Sequence, residues 1–282
     1  MQPLTEVQKL LKNLPGRLLP VTPEACDLTP LSGGFNNLVW RFTANDGAGY
    51  VIKLFNNDNV IPSGRSNERK LTQQASDIGI TPRLVYWDDN NTFAVTEYQA
   101  ADGSRLSKDM ALRTLIKLHG LHTQSSQTVD YLEDFSVNEQ LKAFSFKRVY
   151  DWQNRMLSSA LARCVCHHDL CPDNLVIAKD QLWVIDFEYS GWGHPLFDLA
   201  SLSESFSDPE TKLQLWQTYL STSGLPCSKQ EREAWQAAQA LYTFLCANWF
   251  YRQLSSQKTN QRLAGKAEYY HSQLIELISR SN

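Results

Sequence analysis

The stretch CVCHHDLCPDNLVIAKDQLWVIDFEYSGWGHPLFDLA, residues 164–200, decides the fold of this chain. It contains two acidic residues, Asp169 and Asp186, each at the end of a short apolar run typical of a β-strand. Asn174 follows the first of them by five positions. One carboxylate of such a set can accept a hydroxyl proton, while the other carboxylate and the amide oxygen can hold Mg²⁺ against phosphates. The pattern therefore favours phosphate chemistry.

The motif HHDLCPDN, residues 167–174, also has a simpler explanation. Asp and Asn are frequent turn formers, so the motif alone fits a hydrogen-bonded turn between two strands equally well. The second apolar run, LWVIDF, places Asp186 at the distance along the chain that the chemical interpretation requires. Together the two runs favour a catalytic loop over an ordinary turn.

Three cysteines and two histidines in the same stretch admit a zinc site made of Cys164, Cys166, Cys171, His167 and His168. This alternative is less favoured, because Cys164 and Cys166 alternate along a predicted strand and no second ligand pair follows at zinc-site spacing. The six cysteines of the chain fit buried thiols in a reducing compartment better than a disulfide framework.

The composition is that of an ordinary globular protein. Of the 282 residues, 42% are hydrophobic and 20% are charged, which excludes disordered and fibrous classes. A net charge of −3 gives no reason to expect nucleic acid or an anionic membrane as a partner. The N-terminal segment is a poor signal peptide, and no apolar run approaches the roughly 20 residues that span a bilayer. We expect a cytoplasmic protein; the oligomeric state is not indicated.

The first hundred residues predict a small lobe with an antiparallel sheet and one packed helix. Apolar runs separated by SGGFNN and NDGAG indicate three strands, and a later pair of strands flanks a DNN turn. The predicted elements are a helix at 4–13, three strands within 26–55, a helix at 64–79, and strands at 83–88 and 92–98. We take 1–100 as a nucleotide-binding lobe.

The segment QAADGS, residues 99–104, marks a hinge, and the sequence beyond it becomes helical. Residues 101–282 form the predicted catalytic and substrate-binding lobe. The predicted helices run through residues 110–121 and at about 137–161, 195–206, 209–223, 228–256 and 259–280. A β-rich lobe followed by a mostly helical one gives an α+β, two-lobed arrangement in the order of kinase-like folds.

The loop LSGGFNNLVW, residues 31–40, lies between two predicted strands. That position, and the absence of the required glycine spacings, argues against a Rossmann or Walker A site. Gly33 and Gly34 could let the backbone close over phosphates, with Ser32 or Asn36 as a further donor. An ordinary hairpin turn is the alternative.

Lys53 lies in the predicted strand YVIKLF, on the same face as Val51 and Phe55. An ammonium group on a partly buried face needs a partner, and Glu68 on the following helix is a suitable one. A Lys–Glu pair directed at nucleotide phosphates is a recurring device of kinases, whereas a solvent-exposed lysine is the alternative.

Together, HHDLCPDN, IDFEYSG and PLFDLA resemble the aminoglycoside phosphotransferase and choline kinase superfamily, and within it the bacterial thiamine kinase and choline/ethanolamine kinase branch. The resemblance covers the whole chain and implies a protein-kinase-like fold, with ATP and Mg²⁺ as cofactors. It implies Asp169 as catalytic base and Asn174 and Asp186 as magnesium ligands. The remaining implied roles are nucleotide binding by Ser32, Gly33, Gly34, Lys53, Glu68, Glu97 and Tyr98, and structural support by His167 and Asp198.

Two departures from related sequences bear on the substrate. His194 stands where some relatives carry an acidic or amide residue, which leaves metal or substrate contacts there open. Cys171 occupies a position at which Ser/Thr protein kinases usually have lysine. The segment 187–197 is also too short for a peptide-docking activation loop, so the acceptor is expected to be a small molecule.

The acceptor must be an alcohol, because Asp169 can assist only a hydroxyl that loses its proton. Glu188, Tyr189 and Trp249 are the predicted substrate contacts, since aromatic faces and carboxylates suit a quaternary ammonium or thiazolium ion. CANWFYRQL, residues 246–254, resembles the aromatic segment of thiamine and choline kinases; burial of these rings in the core is the alternative. An aminoglycoside kinase, an inactive nucleotide-binding module and a protein kinase are the competing functions.

Overall fold

The structure, a computed structural model, describes residues 2–12, 14, 27–31, 37–45, 47–56, 64–123, 129–132, 136–256 and 260–281. The predicted phosphate contacts Ser32, Gly33 and Gly34 lie outside these residues. The chain folds into two units. The sheet unit comprises Met1–His122 and Asp173–Ser190, and the helical unit comprises Thr123–Pro172 and Gly191–Asn282.

The elements are numbered here in chain order. The helices are α1 Gln2–Lys12, α2 Gly64–Asp77, α3 Lys108–His119, α4 Phe146–Leu157, α5 Pro195–Ser203, α6 Pro209–Thr222, α7 Lys229–Ser256 and α8 Gln261–Ser281. The strands are β1 Thr29–Pro30, β2 Leu38–Thr43, β3 Gly49–Leu54, β4 Leu84–Trp87, β5 Phe93–Glu97, β6 Cys164–Cys166, β7 Leu175–Ala178, β8 Gln181–Val184 and β9 Gly191–Gly193. Single turns of 3₁₀ helix lie at Glu139–Leu141, Pro172–Asn174 and Phe187–Tyr189.

The sheet unit is built on an antiparallel sheet with strand order β1-β2-β3-β5-β4, which confirms the predicted α+β class. Side chains alternate along β3: Tyr50, Ile52 and Leu54 are buried with residues of α1, such as Val7, in one apolar core. The period of two in a strand turns Lys53 to the opposite face. The alternation of this strand therefore positions the lysine of the site.

A second hairpin, β7–β8, also belongs to the sheet unit. The N–H of Val184 donates to the carbonyl of Ile80 at 2.8 Å, and the N–H of Lys179 donates to the carboxylate of Asp102 at 2.7 Å. Helix α3 packs against β8. The sheet unit therefore contains more than the expected 1–100 lobe. It also includes α3 and a hairpin from much later in the chain.

The helical unit is organised around α7, which packs against α4, α5 and α8. Proline at the first position of α5 and of α6 begins both helices as predicted. The expected continuous helix at about 137–161 is wrong. Ser145 caps a new helix there, and only one 3₁₀ turn precedes it.

Within the described part of the chain, no helix is both long and apolar enough to cross a membrane.

Candidate active site

Lys53 is the centre of a cluster of carboxylates in the sheet unit. Its Nζ lies 2.9 Å from Glu68 Oε1, 2.5 Å from Asp186 Oδ1 and 4.0 Å from Glu188 Oε2. Glu68 is on the buried face of α2, where the helical period places it in line with Leu71. The cluster therefore joins the central strand, α2 and the segment that follows β8.

The charge of Lys53 is maintained by its neighbours. Burial alone would lower the pKa of the ammonium group, but the carboxylates of Asp186, Glu68 and Glu188 outweigh that effect and raise the pKa above its ordinary value. The side chain is 17% exposed, so Lys53 is largely but not completely enclosed. Lys53 can accordingly act as a permanent cation toward a phosphate.

Asn174 and Asp186 flank the same end of the β7–β8 hairpin. Leu175 pairs with Val184 in the register of the two strands, and the N–H of Ile185 donates to the carbonyl of Asn174 at 3.0 Å. Asp186 has a φ of 69°, in the left-handed region, which is costly for a residue other than glycine. The surrounding contacts must hold this residue in place.

The oxygen donors and the charge balance fit Mg²⁺, which takes oxygen ligands from carboxylates and amides. Three carboxylates, those of Glu68, Asp186 and Glu188, face two cations, Lys53 and Arg65, within one connected set of ion pairs. Three negative charges against two positive charges leave one negative charge in excess. The Asp186 side chain is 27% exposed and can still be reached.

Glu188, which the sequence assigned to the acceptor, is 4% exposed. Its Oε2 accepts a hydrogen bond from Asn37 Nδ2 at 2.8 Å and lies 3.6 Å from Arg65 Nη1. This enclosure favours a structural role for Glu188, next to the predicted metal ligand Asp186, over contact with an acceptor. Tyr189, in the same 3₁₀ turn, is half-buried, and its substrate contact stays a prediction.

Glu97 is the last residue of β5, and Tyr98 follows it directly. The Glu97 carboxylate accepts from Arg83 Nε at 2.8 Å, and the Tyr98 N–H donates to the Gly49 carbonyl at 2.9 Å. The guanidinium of Arg41 lies over the Tyr98 ring, 4.2 Å from its centre. Nucleotide contact by these two residues stays a prediction.

In the helical unit, the loop that carries Asp169 is held by the buried Asp198. The N–H groups of His167 and His168 donate to the two carboxylate oxygens of Asp198 at 2.7 and 2.8 Å. The His167 ring is also fully buried, and its Nδ1 accepts from the N–H of Asp169 at 3.3 Å. Asp198 and His167 thus fix the backbone on which Asp169 stands.

His194 is the N-cap of α5. Its Nδ1 accepts from the N–H of Leu196 at 3.3 Å, and its own N–H donates to the hydroxyl of Tyr131 at 3.1 Å. The side chain is 2% exposed. His194 therefore has a role as a helix cap, and its effect on metal or substrate contacts stays an open question.

Cys164 and Cys166 lie on one face of β6, with their Sγ atoms 3.7 Å apart. Burial raises the pKa of the Cys166 thiol well above its usual range, and the Cys164 side chain and the charge of Asp198 add to the effect. Zinc binds the thiolate form, so this environment disfavours Cys166 as a zinc ligand.

Aromatic side chains connect the neighbourhood of Asp169 to Trp249. After burial, the Asp169 charge is among the causes that raise the pKa values of Tyr242 and Cys246 on α7. Ring contacts then run from Tyr242 through Tyr270 and Phe250 to Trp249, with centroid separations of 6.4, 5.7 and 5.0 Å. Trp249 is half-buried, so one part of its ring remains exposed.

The chain can now be compared with known proteins. The sequence profile of the phosphotransferase enzyme family matches residues 27–240, well over half of the chain. The chain belongs to this family. The predicted resemblance to aminoglycoside phosphotransferases and choline kinases is thus confirmed.

Relatives of this chain include Protein LicA of Haemophilus influenzae, 28% identical over 164 residues. The match covers 54% of this chain and 58% of that protein, so the chain spans little more than half the length of this curated relative. A choline/ethanolamine kinase family protein from Mesorhizobium loti superposes with a TM-score of 0.72 at 21% identity, covering 97% and 94% of the two chains. The choline kinase LicA from Streptococcus pneumoniae gives 0.69 at 20% identity, covering 96% and 99%. At these identities the two structures show the kinase-like fold alone.

Sequence reasoning missed Asn37, Arg65 and Tyr131. Arg65 could have been found from its position three residues before Glu68 on a helix, since residues at that spacing share a face. No sequence signal points to Asn37 or Tyr131, because their partners Glu188 and His194 lie far away along the chain.

Proposed function

We propose that this chain transfers the terminal phosphoryl group of ATP to the hydroxyl of a small, cationic alcohol of the choline, ethanolamine or thiamine class. The observation that carries the proposal is the contact of Lys53 with both Glu68 and Asp186. A buried lysine held between a helix glutamate and a metal-binding aspartate is the arrangement that kinases use toward nucleotide phosphates.

The chemistry assigned to each side chain follows from its charge. Asp169 accepts the proton of the acceptor hydroxyl as its oxygen attacks the terminal phosphorus of ATP. The bond from that phosphorus to the bridging oxygen breaks, and ADP leaves with the electron pair. Lys53 offsets negative charge on the phosphates, while Asn174 and Asp186 would hold Mg²⁺. When bound, Mg²⁺ supplies further positive charge at the phosphates.

The aromatic side chains of the helical unit support a cationic acceptor. A quaternary ammonium or thiazolium ion offers no strong N–H donor, so it is recognised by ring faces and carboxylates. Trp249 ends the series of ring contacts that begins near Asp169, and part of its surface remains exposed. The names of the two solved structures, a choline/ethanolamine kinase family protein and a choline kinase, are consistent with this acceptor class.

The experiment is ATP consumption by the purified chain with Mg²⁺ and one alcohol at a time: thiamine, choline, ethanolamine, homoserine, methylthioribose and kanamycin. The matched blank is Asp169→Asn, which corrects for background ATP hydrolysis. We expect acceptor-dependent turnover with one cationic alcohol and formation of its phosphate ester by mass spectrometry.

The other outcomes identify the competing functions. Turnover with kanamycin alone would assign an antibiotic kinase, and phosphorylation of generic peptides would assign a protein kinase. Saturable ATP binding without phosphorylation of any alcohol in the panel would favour an inactive nucleotide-binding module. Each of these results contradicts the proposal.

A further inference from the structure

Arg65, on the first turn of α2, makes several contacts that the proposed reaction does not use. Its Nη1 lies 2.6 Å from Glu68 Oε2 and 3.6 Å from Glu188 Oε2. Its Nη2 donates to the side-chain oxygen of Asn37 at 3.3 Å, and the guanidinium lies over the Phe55 ring, 4.3 Å from its centre. The side chain is 10% exposed, so these contacts are made largely away from water.

The guanidinium bridges two buried carboxylates that also lie near Lys53. Glu68 and Glu188 are 2% and 4% exposed. Buried carboxylates require a compensating charge, and an arginine can serve two at once through its fork of donors. With Arg65 present, Lys53 need not supply all of that charge and remains available to Asp186 and to a ligand.

The segment after Asp186 is tied to α2 at two points. Glu188 contacts Arg65, and the carbonyl of Ser190 accepts a hydrogen bond from Asn67 Nδ2 at 2.9 Å. Asp186 itself has the left-handed φ of 69°. A strained backbone persists only where its surroundings hold it, and these contacts act on the residues directly after it.

We propose that Arg65 is a positioning residue: through Glu188 it holds segment 187–190, and thereby orients the Asp186 carboxylate for a divalent cation. The inference deepens the proposed function and rests on its assignment of Asp186 as a metal ligand. A guanidinium offers only hydrogen-bond donors, so Arg65 is not itself a metal ligand. Its loss should weaken metal binding without removing any metal ligand.

The first measurement uses Mn²⁺ as the probe, titrated into the whole chain with saturating ADP and followed by electron paramagnetic resonance. Arg65→Gln should raise the dissociation constant for Mn²⁺ at least tenfold, and Arg65→Lys should recover part of the affinity, because it restores charge without the fork. The matched control is Arg69→Gln, one turn further along α2, whose ion pair with Asp89 is exposed. It should leave the affinity within twofold of the wild type.

The second measurement needs neither metal nor nucleotide. Amide hydrogen exchange in Phe187–Ser190 of the free chain should become faster in Arg65→Gln and stay unchanged in Arg69→Gln. If Arg65 acts through Glu188, the double variant Arg65→Gln/Glu188→Gln should bind Mn²⁺ no more weakly than the weaker single variant. Additive losses would assign Arg65 a separate role and overturn the inference.

The outcomes separate the inference from the proposed function. If the wild type fails to bind Mn²⁺ with ADP, the assignment of Asp186 fails, and the inference with it. If the wild type binds and Arg65→Gln binds within twofold, the inference alone fails. Should Arg65→Gln not fold by thermal melting, Arg65→Lys decides, and wild-type affinity and exchange in that variant overturn the proposal.

Discussion

A change at Asp169, the proposed base, should separate ATP binding from phosphoryl transfer. Asparagine keeps its size but cannot take a proton, so Asp169→Asn should lower kcat by roughly 10²–10⁴-fold, the range of general-base catalysis. The dissociation constant for a non-hydrolysable ATP analogue should change less than twofold, because Lys53, Asn174 and Asp186 remain. Steady-state kinetics and calorimetry measure the two quantities. Unchanged turnover would remove Asp169 from the mechanism.

Asp198 should contribute to stability by accepting hydrogen bonds from the backbone of the loop that carries Asp169. Asp198→Ala leaves two N–H groups, the buried one of His167 and the half-buried one of His168, without their charged acceptor. Hydrogen bonds to charged groups contribute about 1.5–3 kcal/mol each, so we expect a loss of roughly 3–6 kcal/mol in the free energy of unfolding. Urea denaturation measures it. The control Asp208→Ala removes an exposed helix cap and should cost clearly less; equal losses would contradict the bracing role.

The sequence predicted the charged residues of the site better than their supports. Lys53 and Glu68 could be paired in advance, because strand alternation and the helical period each place one of them on an inner face. Glu188 was assigned to the acceptor, since its position beside Asp186 says nothing of Asn37, 151 positions earlier in the chain. Contacts at such separations depend on packing, which local patterns do not specify.

At the scale of elements, β9 approaches the Asp169 loop so closely that Gly193 is required. A Cβ added there would collide with the His168 ring and come within 3.0 Å of the Tyr131 hydroxyl. Gly193→Ala should therefore destabilise the chain by roughly 1–3 kcal/mol and lower kcat. Gly191→Ala, whose Cβ would meet only Val129 at 3.4 Å, is the matched control and should stay near the wild type. Urea denaturation and turnover are measured for both, and equal effects would contradict the close approach.

The hydrogen bond between Asp102, in segment 99–104, and the β7–β8 hairpin should make the stability of the chain depend on pH. The N–H of Lys179, and then the hydroxyl and N–H of Ser104, lower the pKa of Asp102 to about 2 from 3.8. A lowered folded-state pKa means that the stabilisation is present above pH 3.8 and is lost as the pH falls through about 2. Asp102→Asn should be less stable at pH 7 and lose less stability between pH 4 and 2. Urea midpoints across this range test it; parallel profiles would contradict it.

Most helices and strands were predicted to within a few residues, because period and end signals agree along those stretches. The exception is 137–161, where apolar periodicity continues across Ser145 although the helix begins anew at Phe146. The period of the apolar residues indicates which side chains face inward, but it does not show where a helix is interrupted. The cap residue was the signal that should have decided the boundary.

For the whole molecule, the sheet unit is assembled from two separate parts of the chain, which a boundary at residue 100 could not anticipate. Sequence patterns mark lobes by changes in composition, whereas this unit is defined by contacts such as Val184 with Ile80. The segment that carries Asn174 and Asp186 therefore folds with Lys53 and Glu68 despite more than a hundred intervening residues. Metal binding should depend on both parts being present.

This dependence can be tested with two fragments. A fragment of residues 1–122 retains Lys53 and Glu68 but lacks Asp186, so it should show no Mg²⁺-dependent binding of a fluorescent ATP analogue. Its thermal midpoint should also be lower than that of the whole chain, because Ile80 and Asp102 lose their partners Val184 and Lys179. Joining residues 173–190 to its end by a flexible Gly/Ser linker should raise the midpoint and restore Mg²⁺-dependent binding. Equal binding by the two fragments would mean that the hairpin contributes nothing to the nucleotide site, since the Lys53–Asp186 contact is then dispensable.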